Sequence, residues 1–358
     1  MDEPLGGGSS EQTLLVVAGS GRSGTSLLTG LTGRLGLYIP QPELKPNESN
    51  PRGFGEPKWA LGFHKELLRS VDVTHDDGRP EAWDKTARVA NRRQVQERLR
   101  LWLEDQFAHS DRIVVKDPRL AWFVKLYGNV ANDLSAQLCI VTMLRHPAET
   151  VMSKQLAYGS RVDSTTRMTG WLNMMLWTEY HTRQLPRAIV LYDHLLDDWK
   201  AALATAERQL PLDLVSSATS EQLADADGLV DVSLRRTDSD WAELDLPAPL
   251  HQLAERAYEA LATLAGDGSQ MQSAEADLDS VRDDFVAYFH EAEALVRSSL
   301  NAARAAERRK LQKMHKAELK EAVVKARRES RPVLATPEPS LVARVRRGAG
   351  RVMRKVRA

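Results

Sequence analysis

The stretch Leu14-Leu15-Val16-Val17-Ala18-Gly19-Ser20-Gly21-Arg22-Ser23-Gly24-Thr25-Ser26-Leu27-Leu28 constrains the chain more than any other. An apolar run breaks into Gly and Ser, carries one Arg, and resumes as an apolar helical pattern. That order reads as buried strand, tight loop, helix. Such a loop binds an anion: glycines let the backbone approach closely, amide N–H groups converge, and the following helix presents the positive end of its dipole. The spacing also argues against one chemistry. An NTPase phosphate loop runs Gly-x4-Gly-Lys-Ser/Thr, with the Lys on the β- and γ-phosphates and the hydroxyl on magnesium. Gly19 and Gly24 keep that spacing, but Thr25 stands in the lysine's place. The cation has moved to Arg22, which suits a nucleotide whose transferable group needs no metal clamp.

Downstream, strands and helices alternate. Leu37-Tyr38-Ile39 reads as a short strand. Residues 40–57 are a loop by composition, whose core Asn50-Pro51-Arg52-Gly53-Phe54-Gly55-Glu56 brings a carboxylate beside aromatic residues. Residues 61–71 have helical periodicity with His64 on the packed face, and residues 91–108 give an amphipathic helix through Val95, Leu99, Trp102, Leu103 and Phe107. Arg112-Ile113-Val114-Val115 is a buried strand that stops at charge, and Pro118 keeps Lys116 and Asp117 at its carboxyl end. Residues 137–144 form another strand, ending in Arg145-His146-Pro147. Ser153 follows across a strand-to-helix junction, so that a forked guanidinium and a hydroxyl can converge on one anion. Residues 170–185 make a Trp- and Met-rich core helix. A fourth strand at 187–192 ends in Tyr192 and leads to a helix over 193–203. The expected fold class is α/β, a parallel β-sheet flanked by helices on both faces, with ligands at the carboxyl ends of its strands.

Charge divides the chain further. The 49 basic and 49 acidic residues cancel overall, yet 301–358 hold 18 Lys and Arg against 5 Asp and Glu. The expected organisation is a flexible N-terminus at 1–12, an α/β domain at 13–265, a long charged helix at 280–330, a Pro-rich linker at 331–340 and a basic amphipathic tail at 341–358. The heptad in 280–330 is patchy, making it a candidate coiled coil through which two copies would pair. The tail sets Leu341, Val345, Val352 and Val356 against Arg344, Arg347, Arg351 and Lys355, which suits anionic lipid headgroups. No specific nucleic-acid partner is expected. Cys139 stands alone in an apolar strand, a core residue that excludes an intrachain disulfide framework. With no apolar run of membrane-spanning length and no basic-then-apolar leader, a cytoplasmic location is expected, peripheral at the inner membrane face if the tail binds lipid.

From about residue 12 to about residue 240 the sequence resembles, in order, the sulfotransferase family that transfers a sulfuryl group from 3′-phosphoadenosine 5′-phosphosulfate (PAPS). Gly21, Arg22, Ser23, Gly24, Thr25 and Ser26 look like the family's 5′-phosphosulfate loop. Arg145 with Ser153 looks like its 3′-phosphate motif, and Tyr192 like the strand-end Tyr near the adenosine. The resemblance places Arg235 or Arg236 over the 3′-phosphate, although the family's Gly-rich motif there is absent. It implies metal-independent in-line transfer that releases PAP, with Arg22 and the loop amides offsetting charge on the leaving oxygen and Lys116 at the transferred group. A general base must take the acceptor's proton. Some members use a His just after the strand-end Lys, but Asp117 and Pro118 follow Lys116 here. Others use a Glu in the loop after the first helix, where Glu56 lies; Glu56 is preferred over Asp117, and His64 stands apart. The implied acceptor is a hydroxyl on a carbohydrate or glycolipid, with Trp59, Trp83, Trp122 and Trp171 as candidate aromatic faces for a sugar. The alternative is a non-catalytic nucleotide-binding module, recruited to a partner or membrane through the basic C-terminal helix.

Overall fold

Four parallel strands form the only sheet among the described residues: β1 (Thr13–Gly19), β2 (Arg112–Lys116), β3 (Gln137–Leu144) and β4 (Arg187–Leu191), in the order β2-β1-β3-β4. The computed structural model describes residues 12–47, 50–159, 161–231, 241–266 and 270–329. The segment 1–11, Arg235, Arg236, the 331–340 linker and the 341–358 tail lie outside the described residues. Thr13 pairs with Arg112 on one side and Gln137 on the other, and Val17 with Lys116 and Val141, so the central strand is hydrogen-bonded along both edges. Each strand is a near-continuous apolar run because both faces of a parallel sheet are covered.

Alternation assigns the faces. Leu14, Val16, Ile113, Val115 and Ile140 point to one side, against α2 (Lys58–Arg69), α3 (Ala82–Ala90), α4 (Arg93–Phe107) and α5 (Val124–Asp133), where Phe63, Trp83, Trp102 and Tyr127 fill the layer. Leu15, Val17, Val114, Cys139 and Val141 point to the other. There they meet α1 (Thr25–Arg34), α8 (Tyr192–Asp197), α9 (Trp199–Glu207) and α10 (Ser220–Asp227). A third apolar cluster joins α6 (Pro147–Tyr158), α7 (Ser164–Thr182), α11 (Ala248–Leu264) and the first turns of α12 (Met271–Glu329) through Val151, Trp171, Leu253, Leu278 and Phe285. The parallel sheet covered on both faces agrees with the expected fold class.

Several boundaries differ from the sequence reading, each for a local reason. Leu37-Tyr38-Ile39 is not a strand: Tyr38 alone bridges to Ile113, donating to the Arg112 carbonyl at 2.8 Å and accepting from the Val114 amide at 2.9 Å. The helix expected over 193–203 is two, because Asp198 takes an extended φ of −152° and caps α9 by accepting from the Ala201 amide. The compact unit does not stop at 265. It runs to Ala292, with a second unit from Glu293, because Leu278, Val281 and Phe285 on α12 are buried in the third cluster. In that second unit residues 294–326 are exposed throughout.

Candidate functional site

The carboxyl ends of all four strands open on one cavity of about 380 Å³. The loop after β1 delivers Arg22, β2 ends at Lys116, Arg145 follows β3 directly, and Tyr192 follows β4; all four line it. The strand order reverses between β1 and β3, the place where open α/β sheets leave a crevice for ligands.

The loop is shaped by its glycines at two positions. Gly19 lies at φ +123°, where a Cβ would come within 2.7 Å of the Met143 carbonyl oxygen on the neighbouring strand. Gly24 lies at φ +91° as the N-cap of α1, and a Cβ there would meet the Tyr192 ring at 2.3 Å. A residue with a Cβ is both strained and excluded at each. Gly24 supplies no side-chain cap to α1, and no acidic residue stands in that helix's first turn. The amides of the helix start therefore face the cavity ready for an anion.

Arg22 itself takes a left-handed φ of +73°. Its Nε donates to Ser153 Oγ at 3.1 Å, while its carbonyl accepts from Arg145 Nη1 at 3.2 Å. Arg145 is fixed on two further sides, by Glu149 (Nε to Oε2, 2.8 Å) and by the Tyr192 ring, whose centroid lies 4.6 Å from the guanidinium carbon. Arg145, Glu149 and Ser153 are all buried. The two expected anion grips, far apart in sequence, are thus hydrogen-bonded to one another across the β1 and β3 loops. Glu149 stands one helical turn after Arg145, an i,i+4 spacing that the sequence itself displays.

Beside them sits a buried ion pair. Lys116 Nζ donates to Glu56 Oε1 at 2.6 Å, to the Phe54 carbonyl at 3.1 Å and to Ser26 Oγ at 3.2 Å, and Ser26 Oγ also accepts from Asn50 Nδ2 at 3.2 Å. The loop carrying Asn50 and Glu56 is thereby pinned to the start of α1. Glu56 and Lys116 both line the cavity.

Asp117 does not line it. Consecutive strand-end residues point to opposite faces, so Lys116 turns toward α1 and Asp117 toward α2. Asp117 Oδ2 lies 2.8 Å from His64 Nδ1, its Oδ1 accepts from the Arg119 amide and guanidinium (3.2 and 2.6 Å), and the Tyr127 hydroxyl lies 3.2 Å from His64 Nε2. Burial pushes its pKa up, but the hydrogen bond and charge of His64 and the charge and amide of Arg119 outweigh this and hold it at about 2. Asp117, a candidate base in the sequence, is thus fully buried and away from the cavity lining, whereas Glu56 is part of it. Arg119, which sequence reasoning passed over although it follows Pro118 directly, lines the cavity through this anchor. The four tryptophans expected to offer sugar-binding faces do not line it either. Trp83, Trp122 and Trp171 are buried in the apolar layers, and Trp59 stacks on Trp102 at 4.5 Å. Phe54, His75, Tyr158 and Tyr192 are the aromatic residues of the lining among those described.

The donor set fits a nucleotide with phosphates at two positions: loop amides, Arg22 and the α1 start at one, Arg145 and Ser153 at the other, and the Tyr192 ring between the loop and Arg145. No cluster of three or more His, Cys, Asp or Glu that would hold a metal ion occurs among the described residues. No helix among them is long and apolar enough to cross a membrane.

No family model matches the chain, and no curated protein matches its sequence. Solved structures similar to it include two sulfotransferase domains. The sulfotransferase domain from the Synechococcus PCC 7002 olefin synthase is 19% identical with a TM-score of 0.39, over 68% of this chain and 94% of that one. The sulfotransferase domain from the curacin biosynthetic pathway is 15% identical with a TM-score of 0.38, over 70% and 98%.

Proposed function

We propose that this chain is a PAPS-dependent sulfotransferase that places a sulfuryl group on an acceptor hydroxyl, on a carbohydrate or glycolipid. The observation that carries the reading is the bridge between two anion grips: Arg22 bonded to Ser153, and Arg145 bonded to the Arg22 carbonyl, at the carboxyl ends of adjacent parallel strands. A grip with that second arm selects a nucleotide bearing a 3′-phosphate over one that lacks it. When bound, PAPS supplies the sulfuryl group, whose bond to the 5′-phosphate oxygen breaks as the acceptor oxygen bonds to sulfur, leaving PAP.

The chain's own residues do the rest. Arg22 and the amides after Gly21 hold the 5′ end and offset negative charge there. Arg145, oriented by Glu149 and the Tyr192 ring, holds the 3′-phosphate. Lys116 fixes the Glu56 carboxylate and sets a positive charge at the reacting centre, and Glu56 accepts the hydroxyl proton. Ser26 and Asn50 hold the Glu56 loop against α1, which keeps base and phosphate loop in register.

Calorimetric titration with PAP, ADP and ATP tests the nucleotide assignment. PAP should bind at least about thirtyfold more tightly than ADP, the worth of a charge-assisted bond of about 2 kcal/mol. Equal affinity for PAP and ADP refutes it. Consumption of PAPS with a glycan panel separates the enzyme from a non-catalytic nucleotide binder.

A further inference from the structure

The part of α12 that belongs to the second unit is exposed at every residue from 294 to 326, and its charge is lopsided. That segment holds nine Lys and Arg against three Glu. With about 3.6 residues per turn, Arg309, Lys313, Lys316 and Lys320 fall within about 60° of arc and form one stripe about 17 Å long. Glu307, Glu318 and Glu321 all lie on the opposite half of the helix.

The stripe has no counter-charge of its own. No residue three or four places from any of its four members is acidic, and none of the four makes a hydrogen bond or ion pair among the described residues. Elsewhere on the segment the pattern differs: Arg304 and Lys310 flank Glu307, and Lys325 stands four places after Glu321. Like charges one turn apart weaken a helix on its own, and here four follow in succession. A face built that way is complementary to a surface of many negative charges. Three of the four are lysines, compact charges on long mobile stems that suit a diffuse anionic surface better than a bidentate partner. No Phe, Tyr or Trp occurs between residues 294 and 326, so nucleic-acid bases would find nothing there to stack on. Val296, Leu300, Leu311 and Met314 share the far half of the helix with the glutamates, so the stripe meets headgroups by charge and inserts no apolar face.

We infer that the stripe of Arg309, Lys313, Lys316 and Lys320 docks this chain on a bilayer of anionic lipid, with the cations among the phosphate headgroups. The inference needs no nucleotide and stands apart from the sulfotransferase reading. The 341–358 tail carries a separate expectation for the same kind of surface, and changes confined to the stripe tell the two apart.

The full chain is sedimented with vesicles of phosphatidylcholine alone and of phosphatidylcholine mixed equally with phosphatidylglycerol. It should bind only the mixed vesicles and be released by about 1 M salt, which cuts the screening length to about 3 Å. Each cation near such a surface is worth about fivefold in affinity. Arg309→Gln, Lys313→Gln, Lys316→Gln and Lys320→Gln made together should therefore weaken binding at least about a hundredfold. The control carries Arg297→Gln, Arg304→Gln, Arg308→Gln and Lys325→Gln, the same loss of charge on the other half of the helix. Those cations sit about 10 Å further from the lipid, roughly one screening length, so the control should lose less than about tenfold. Gln sustains a helix as well as Lys or Arg does, and circular dichroism of the three proteins verifies that it does so here. The inference is overturned if the wild type ignores the mixed vesicles, if binding survives about 1 M salt, or if the two variants lose affinity equally. An unchanged affinity in the stripe variant also overturns it and assigns the binding to the tail. Loss of binding to a duplex oligonucleotide in that variant, with vesicle binding intact, overturns it in favour of nucleic acid.

Discussion

Replacing Glu56 with Gln removes one negative charge while keeping the side chain's shape, and it moves two quantities by separable amounts. Glu56 Oε1 lies 2.6 Å from Lys116 Nζ, with 7% and 3% of the two side chains exposed. In the variant the ammonium keeps Ser26 Oγ and the Phe54 carbonyl as neutral acceptors and gains an amide oxygen in place of the carboxylate. It remains charged and buried without a counter-ion. Breaking such a pair costs about 3–5 kcal/mol. Three neutral acceptors satisfy its hydrogens, which favours the lower end, about 3 kcal/mol or a fall of roughly 6–12 °C in melting temperature. Turnover should fall by about 10²- to 10⁴-fold, the worth of a positioned base, while PAP affinity holds. The double variant Glu56→Gln/Lys116→Met removes both charges. It should regain most of the lost stability and none of the activity. Scanning calorimetry reads the first quantity, and PAPS consumption at saturating nucleotide, with any acceptor the wild type uses, reads the second. Turnover of Glu56→Gln within about threefold of wild type would refute Glu56 as base, and an unchanged melting temperature would refute the energetic account of the pair.

Three further outcomes are expected. Arg145→Ala removes the contacts to Glu149 and the Arg22 carbonyl and should weaken PAP binding by about 2 kcal/mol, roughly thirtyfold; calorimetry showing wild-type affinity would reject the second grip. Gly24→Ala sets a Cβ against the Tyr192 ring in a backbone conformation costing about 1–3 kcal/mol, so both melting temperature and PAP affinity should drop, and a variant that binds PAP normally would contradict the packing of loop on ring. Asp117 has a depressed folded pKa, so its stabilising contribution is full above the unfolded value of 3.8 and is lost as pH falls through about 2. Denaturant titrations between these pH values should show wild type losing on the order of 2 kcal/mol more than Asp117→Asn, and parallel curves would remove that account.

The strands and the polar residues at their ends were legible in the sequence because a buried parallel strand is a short apolar run and must stop somewhere: three of the runs stop at Lys116, Arg145 and Tyr192, and the first stops at Gly19, three residues before Arg22. What closed the site was not legible. The Glu56–Lys116 and Arg22–Ser153 contacts join loops that no period relates, and only the strand order brings them together. Lys116 and Asp117 looked equivalent side by side, yet the two-residue period of the strand sends one to the cavity and the other into the core. Tryptophans drew attention as sugar platforms, whereas their size makes them filler for the helix layers. The docking of α12 was not legible because Ala274, Leu278, Val281 and Phe285 make a narrow apolar stripe in a charged stretch, enough to bury one face of the helix while the others stay wet.

The bond from Arg22 to Ser153, and from Arg145 back to the Arg22 carbonyl, means that under the proposed function the nucleotide's two ends would be held by parts that share members. A change in either loop shifts the geometry of the other. Losses from altering Arg22 and Arg145 should therefore overlap instead of summing, as in any network of shared partners. Segments 123 residues apart then behave in evolution as a single inherited character. A substitution in either segment is then felt by both, so the two can be altered only as a pair.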